Sequence, residues 1–199
     1  RSDGIHTSAT RRAEVLMFNS GGSGARPKLD GMNATAFPSG VMTMPIEATE
    51  HTGPVIIWRK ELRPDSGGPG QFRGGLGQFM EIGSDDDYEF DISLMFDRVH
   101  HPALGRKGGK PGGETIVTQD DGLVMEGKGK QFVGPERIVQ MSLPGGAGYG
   151  RAEHRDRKLI IRDVILGYVS VKSAQENYEL TSKELSLIEE ALTSGELPV

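Results

Sequence analysis

The sequence has no cysteine. That excludes a disulfide scaffold, a thiolate metal site and a cysteine nucleophile, and it suits a reducing compartment, here expected to be the cytoplasm. It has no apolar run near the roughly 18 residues that a membrane span needs. Its first residues, Arg-Ser-Asp-Gly-Ile-His-Thr, contain neither the apolar core of a signal peptide nor an initiator methionine, so a processed product or a piece of a longer polypeptide is expected. It lacks basic excess as well. The formal net charge of −5 argues against a nucleic-acid-binding domain. Histidines are few, and only His100 and His101 adjoin. Adjacent residues on a strand face opposite ways, and no third ligand lies near in sequence, so no metal site is expected in this chain.

Glycine is abundant, with 29 residues, about twice the usual share. The glycines follow no strict period, so they imply turns and shaped loops rather than a collagen-like fibre. The densest stretch is 61–77, Glu-Leu-Arg-Pro-Asp-Ser-Gly-Gly-Pro-Gly-Gln-Phe-Arg-Gly-Gly-Leu-Gly. Glycine is kept where a backbone takes positive φ or passes very close to another group. The prolines fix φ and remove donors. This stretch is expected to be a tight loop presenting Arg63, Asp65, Ser66 and Arg73. It serves either as an architectural crossover or as part of a site.

Around it the chain reads as mainly β with extensive glycine-rich loops and a small helical tail, an α+β class. A body over 1–155 precedes a helical appendage of the same domain over 156–199. Strands are predicted at 12–18, 55–62, 77–82 and 88–98, the last with Phe90, Ile92, Leu94 and Phe96 on one face. Residues 84–87 read as a polar hairpin turn, and 114–118 with 123–126 as a hairpin closed by Asp121-Gly122. A further run covers 137–143. The apolar segment 159–164 is left open between helix and strand. Ser170 is a good cap for a helix reaching about 178. Thr181 and Glu184 have capping-box spacing for a helix over 182–193, with a stripe of Leu185, Ile188 and Leu192 and a stop at Gly195.

Several constellations carry possible chemistry. The spacing from Gly122 to Gly127-Lys128 resembles a phosphate loop, but Gly129 stands where magnesium binding needs Ser or Thr. No dinucleotide fingerprint follows a strand. The glycine loops 21–24, 67–77 and 145–150 can converge, and amides of Gly67, Gly68, Gly74, Gly75, Gly145 and Gly146 can form an anion-binding nest. Glu47 and Glu50 either pair with Arg59 and Lys60 at a sheet edge or shape a polar pocket with Arg63 and Asp65. Arg63 and Asp65 are expected to pair with each other or with these glutamates. Arg26 and Asp30 lie in a further polar loop. Asn33-Ala34-Thr35 has the form of a glycosylation sequon and is read as chance.

Five stretches in order resemble one family. They are 21–31 (Gly-Gly-Ser-Gly-Ala-Arg-Pro-Lys-Leu-Asp-Gly), 45–50 (Pro-Ile-Glu-Ala-Thr-Glu), the central 61–77, 144–150 (Pro-Gly-Gly-Ala-Gly-Tyr-Gly) and 163–170 (Asp-Val-Ile-Leu-Gly-Tyr-Val-Ser). Together they resemble the carboxy-terminal part of the hydantoinase B/5-oxoprolinase family. Ala147 departs from the glycine usual there. The resemblance implies half of an ATP-dependent amidohydrolase that opens 5-oxoproline or N-methylhydantoin rings. A hydantoinase A-type subunit handles ATP and magnesium and phosphorylates a carbonyl oxygen. Alternatives are a carboxylase of a small ketone, acetone or acetophenone, or a non-catalytic assembly module. The resemblance also implies that the amino-terminal part of the B-type subunit, with any divalent metal, lies upstream. No nucleic-acid or membrane partner is expected.

Overall fold

The computed structural model describes residues 14–36, 44–84 and 88–194. In chain order the elements are α1 (Ile46–Glu50), β1 (Val55–Leu62), β2 (Gln78–Ser84), β3 (Phe90–Met95), β4 (Ile116–Gln119), β5 (Lys128–Val133), β6 (Val139–Ser142), a 3-10 turn (Ala152–His154), α2 (Arg157–Ile165), α3 (Val171–Tyr178) and α4 (Ser182–Ser194). The α+β class and the late helices agree with the sequence reading.

β1, β2, β6 and β4 form one antiparallel sheet in that order, and β3 pairs with β5 in a second. Alternation does the packing. Met80 and Ile82 of β2 meet Val139 and Met141 of β6, while Leu94 of β3 and Val133 of β5 bury into the same core. Phe90, Ile92 and Leu94 face inward and Asp91, Ser93 and Met95 outward, as the period of two requires. A separate apolar cluster joins Ile160, Ile161 and Val164 of α2 with Ala174 and Tyr178 of α3 and Ile188 of α4.

Several expectations are corrected. The described part of 12–18 has no ladder partner and is not a strand of either sheet; Arg12 and Ala13 lie outside the described residues. The 84–87 turn does not close a hairpin, because β2 and β3 belong to different sheets; Asp85, Asp86 and Asp87 lie outside the described residues. β5 was not anticipated. Its sequence, Lys-Gly-Lys-Gln-Phe-Val, buries only Val133, so its pairing with β3 rather than its own apolar pattern makes it a strand. α1 is a single turn, too short to leave a periodic signal.

The tail's open segment resolves as α2, whose N-terminus is capped by Asp156 accepting from Lys158 N–H. Ser170 caps α3 by accepting from Ser173 N–H. The Thr181–Glu184 box forms as read, with Thr181 N–H donating to Glu184 Oε2 at 2.9 Å. Leu192 is exposed, and Ala191 takes its place in the buried stripe beside Ile188. Gly195 lies outside the described residues.

Arg157 reaches from the start of α2 to Glu184, with both Nε and Nη2 at 2.6 Å from its carboxylate. That fork is the largest influence holding the Glu184 pKa down from 4.5 to about 2. A carboxylate whose folded pKa is depressed contributes stability above its unfolded pKa and loses it as pH falls toward the folded one. The α2–α4 contact should therefore hold above about pH 4.5 and weaken as pH approaches 2. A far-ultraviolet acid titration of the wild type against Glu184→Gln measures it. The variant should lack the acid step that the pair contributes, and identical titrations would remove the pair from the account.

Candidate functional site

The glycine loops do converge, joined main chain to main chain. Gly22 N–H donates to Pro144 O, Gly75 to Ser23 O, Gly146 to Gly75 O and Gly68 to Gly146 O, all within 2.8–2.9 Å. A fourth stretch joins them. Gly113 N–H donates to Ser66 O at 2.7 Å, Gly145 to Gly113 O at 3.0 Å and Lys110 to Pro69 O at 2.7 Å. Each stretch is bonded to more than one other, so the assembly is neither a helix nor a flat ladder. It is a bundle of backbones packed too closely for side chains. Gly74 N–H donates to Gly68 O. The amides of Gly68, Gly74, Gly75, Gly145 and Gly146 are therefore all engaged by carbonyls within the fold. The same loops also hold the Asn33 side chain, whose Oδ1 accepts from Leu76 N–H at 2.9 Å.

Arg73 leaves this bundle and enters a buried ion network. Its Nε lies 3.1 Å from Asp163 Oδ2, and its Nη1 donates to Gly74 O at 2.6 Å. Asp163, on α2, also accepts from Arg155 Nη2 at 2.6 Å. Arg155 in turn grips Asp30 with a two-pronged contact, Nη1 to Oδ1 at 2.8 Å and Nη2 to Oδ2 at 2.7 Å. Asp30 Oδ1 accepts from Arg73 N–H as well, at 2.8 Å. Two arginines and two aspartates thus join the 21–31 loop, the central loop and the tail. The Arg155 and Asp163 side chains are 0% and 1% exposed, whereas Asp30 is 22% exposed.

Burial works against the Asp30 charge, but hydrogen bonding and charge from Arg155, then Arg73, outweigh it and hold its pKa below the usual value. Burial likewise opposes the Arg155 charge and is outweighed by Asp30 and Asp163, so its pKa is raised. Tyr178 packs near the same charges. Burial raises its pKa, and Arg155 and Arg73 offset part of the effect. With opposite charges this closely matched, the network acts as a clamp.

The remaining sequence candidates are dispersed. Arg63 and Asp65 do not pair with each other, nor with Glu47 or Glu50. Arg63 Nη1 donates instead to the carbonyls of Glu114 at 2.6 Å and Leu143 at 3.2 Å. Asp65 Oδ1 accepts from Ser170 N–H at 2.8 Å, and its own N–H donates to Tyr168 O. Ser66 Oγ donates to Arg63 O and accepts from Gly77 N–H. Glu50 Oε1 accepts from Ile57 N–H at 2.9 Å, while Glu47 is exposed. Arg59 pairs with Glu61 and Glu81 rather than with either glutamate of α1. Arg26 is exposed in a turn closed with Leu29. Sequence reasoning missed Arg155 and Asp163. An aspartate inside the apolar run Leu-Ile-Ile-Arg-Asp-Val was the available signal, since a buried carboxylate requires a partner.

Asp65 also carries a positive φ of 59°. Asparagine tolerates that region as well as aspartate and can keep an acceptor toward Ser170 N–H. Asp65→Asn should thus leave the urea midpoint nearly unchanged, while Asp65→Ala should lose about 1–2 kcal/mol through the missing acceptor and the strained backbone. Equal losses in the two variants would contradict this account.

A cleft of about 280 Å³ lies between the glycine bundle and the end of β3, lined by Asn19, Thr35, Met95, Asp97, Arg98 and Pro144 among others. Arg98 has a φ of 59°, and none of the eight side-chain candidates from the sequence lines the cleft. Among the described residues no three of His, Asp and Glu gather as metal ligands. No helix of the described residues is long and apolar enough to cross a membrane.

The hydantoinase B/oxoprolinase family matches residues 3–152. The chain belongs to that family. It is 35% identical over 144 residues to an uncharacterized protein of Methanocaldococcus jannaschii, covering 70% of this chain and 25% of that protein. It is 28% identical over 195 residues to the caprolactamase subunit beta of Pseudomonas jessenii, covering 90% of this chain and 32% of the relative. The crystal structure of the ATP-dependent caprolactamase from that organism superposes with a TM-score of 0.68 at 27% identity, over 89% of this chain and 32% of the other. Nucleotide-free acetone carboxylase superposes with a TM-score of 0.71 over 88% of this chain and 30% of the other; at 16% identity the likeness is one of fold. This hydantoinase B chain thus spans about a quarter to a third of the length of these relatives. The glycine bundle, Asp30 and Arg73 lie inside the matched region, and Arg155 and Asp163 lie beyond it.

Proposed function

We propose that this chain is the carboxy-terminal, β-rich portion of a B-type subunit in an ATP-dependent cyclic-amide hydrolase, acting with a hydantoinase A-type subunit. The observation that carries the reading is the match to the caprolactamase subunit beta over 90% of this chain, within the hydantoinase B/oxoprolinase family. In this reading ATP and magnesium sit on the A-type partner, which activates the amide carbonyl oxygen by phosphorylation, and the B-type part completes ring opening. Any divalent metal belongs to the upstream part of the B-type polypeptide. The clamp supports treating the body before residue 155 and the tail after it as one unit, since Arg73 meets Asp163 across that boundary and Arg155, at its edge, holds both Asp30 and Asp163. A cysteine-free chain suits the cytoplasm.

The test is turnover by the assembled subunits. Ring opening of caprolactam, 5-oxoproline and hydantoins is followed by the new amino group, with and without ATP and the A-type subunit. Hydrolysis is expected only when both are present. ATP-dependent fixation of bicarbonate onto acetone or acetophenone would select the carboxylase reading instead, and assembly without turnover would select a structural module. The isolated chain should bind no Mg-ATP in calorimetry. Its phosphate-loop-like spacing ends at Gly129, which lies inside β5 rather than at the start of a helix. Micromolar binding would overturn that part.

A further inference from the structure

Residues 14–19 carry the burial pattern of a strand without belonging to a sheet. Glu14, Leu16 and Phe18 are exposed; Val15, Met17 and Asn19 are half-buried, with Met17 packed against the main core. That alternation is the strand period of two. Yet among the described residues no main-chain hydrogen bond engages 14–20. The first ones downstream are Gly22 N–H to Pro144 O and Thr35 N–H to Gly21 O. Beyond Glu14 the outward face is apolar, with Leu16 69% and Phe18 74% exposed. Just beyond, Asn19, Gly21 and Gly22 form one wall of the cleft, which Met95, 86% exposed, also lines.

The contrast with β1 is informative, because β1 is an edge strand of the four-stranded sheet. Its outer side is blunted by Arg59, Lys60 and Glu61, by a register shift between Ile57 and Arg59, and by Glu50 accepting from Ile57 N–H. Those are the usual protections of an edge. Residues 14–19 have only one exposed charge, Glu14 at their start, and, among the described residues, neither a register shift nor a side chain bonded to their main chain. Unpaired backbone beside exposed Leu and Phe is instead the arrangement onto which another strand adds.

We propose that residues 14–19 take a partner strand from the remaining part of the hydantoinase B-type polypeptide, which covers Leu16, Phe18 and Met95. The inference rests on the functional reading only for the identity of that polypeptide. The chain makes up 25–32% of its relatives' length, so most of a B-type polypeptide lies outside it, and in those relatives the two parts are one chain.

The experiment places a photoreactive benzoyl-phenylalanine at Leu16, with Leu192 of α4 as an exposed control, in the assembly isolated from cells that make this chain. Cross-linked peptides are identified by mass spectrometry. Hydrogen exchange at 14–20 is compared between assembly and isolated chain. Expected are cross-links from position 16 to the B-type polypeptide and roughly tenfold slower exchange at these amides. Cross-links to a second copy of this chain or to the A-type subunit would overturn the proposal, as would unchanged exchange. Leu16→Asp with Phe18→Asp should weaken association at least about tenfold while leaving the isolated chain's stability unchanged, because both side chains are exposed. Intact cross-links without lactam hydrolysis would count against the function alone. Intact hydrolysis without cross-links would overturn the strand alone.

Discussion

Asp163→Asn should lose about 3–5 kcal/mol of folding stability, the range found when one partner of a buried ion pair is removed. Asp163 is 1% exposed and faces Arg73 and Arg155, both almost fully buried. Neutralising it leaves two buried guanidinium groups sharing the single charge of Asp30, and an asparagine carbonyl can keep the hydrogen bonds that Oδ2 accepts but not the charge. For a domain stable by about 5–15 kcal/mol, such a loss takes a large share of the margin, and at the low end of that range it populates the unfolded chain. Asp30→Asn should lose less, because water reaches its 22% exposed carboxylate. Urea unfolding followed by circular dichroism gives both values. The double variant Asp163→Asn with Arg73→Gln should be less destabilised than the sum of the singles, because they share one interaction. An Asp163→Asn midpoint within about 1 kcal/mol of wild type would remove the clamp from the account.

The clamp shows where reading the sequence reaches its limit. Helix caps and the alternation of one strand are local determinants that the sequence shows. Ser170 and the Thr181–Glu184 box cap their helices as their spacing says, and the alternation over 90–95 sets the inward face of β3. What joins distant segments is not encoded locally. Arg155 and Asp30 stand 125 residues apart, and Arg73 and Asp163 stand 90 apart. The loops around Arg73 and Asp30 mark them as candidates without indicating their partners. The pairing expected between Arg63 and Asp65 fails for a related reason. Their neighbours in space are the carbonyls of Glu114 and Leu143 and the N–H of Ser170, supplied by later parts of the chain. Segment 14–19 is the converse case. Its local pattern is that of a strand, and pairing decides whether it becomes one.

The glycine loops were legible as a group, but the reason for the glycines was not. The sequence suggested amides kept free for an anion. The structure shows the amides of Gly68, Gly74, Gly75, Gly145 and Gly146 bonded to carbonyls within the fold, and Cα positions facing backbone at distances where no Cβ fits. Collagen reserves its axis for glycine on the same steric ground. What the bundle contributes is a rigid frame. It fixes the Arg73 backbone, through Gly31 N–H donating to Arg73 O at 2.7 Å, and so aims its guanidinium at Asp163.

Gly74→Ala should accordingly prevent the chain from reaching its native packing. A Cβ at position 74 would lie less than 3.0 Å from the Gly146 carbonyl carbon and oxygen, both backbone atoms held by hydrogen bonds on either side. A flexible side chain can step aside; a bonded carbonyl moves only with its whole loop. Overpacking of a core usually costs about 1–3 kcal/mol, and a fixed backbone obstacle puts this case at or above the top of that range. Gly145→Ala, facing Ser66 O in the same way, should behave alike. Gly24→Ala is the control. Its nearest neighbour, Ala147 O, is 4.0 Å away, so a methyl group fits, and the reduced freedom of the unfolded chain should make the change neutral or slightly stabilising. Thermal and urea unfolding of the three variants reads the difference. Near-equal midpoints for Gly24→Ala and Gly74→Ala would mean that the loops separate readily. Loss of folded Gly74→Ala and Gly145→Ala, beside an intact Gly24→Ala, would assign these glycines to the frame.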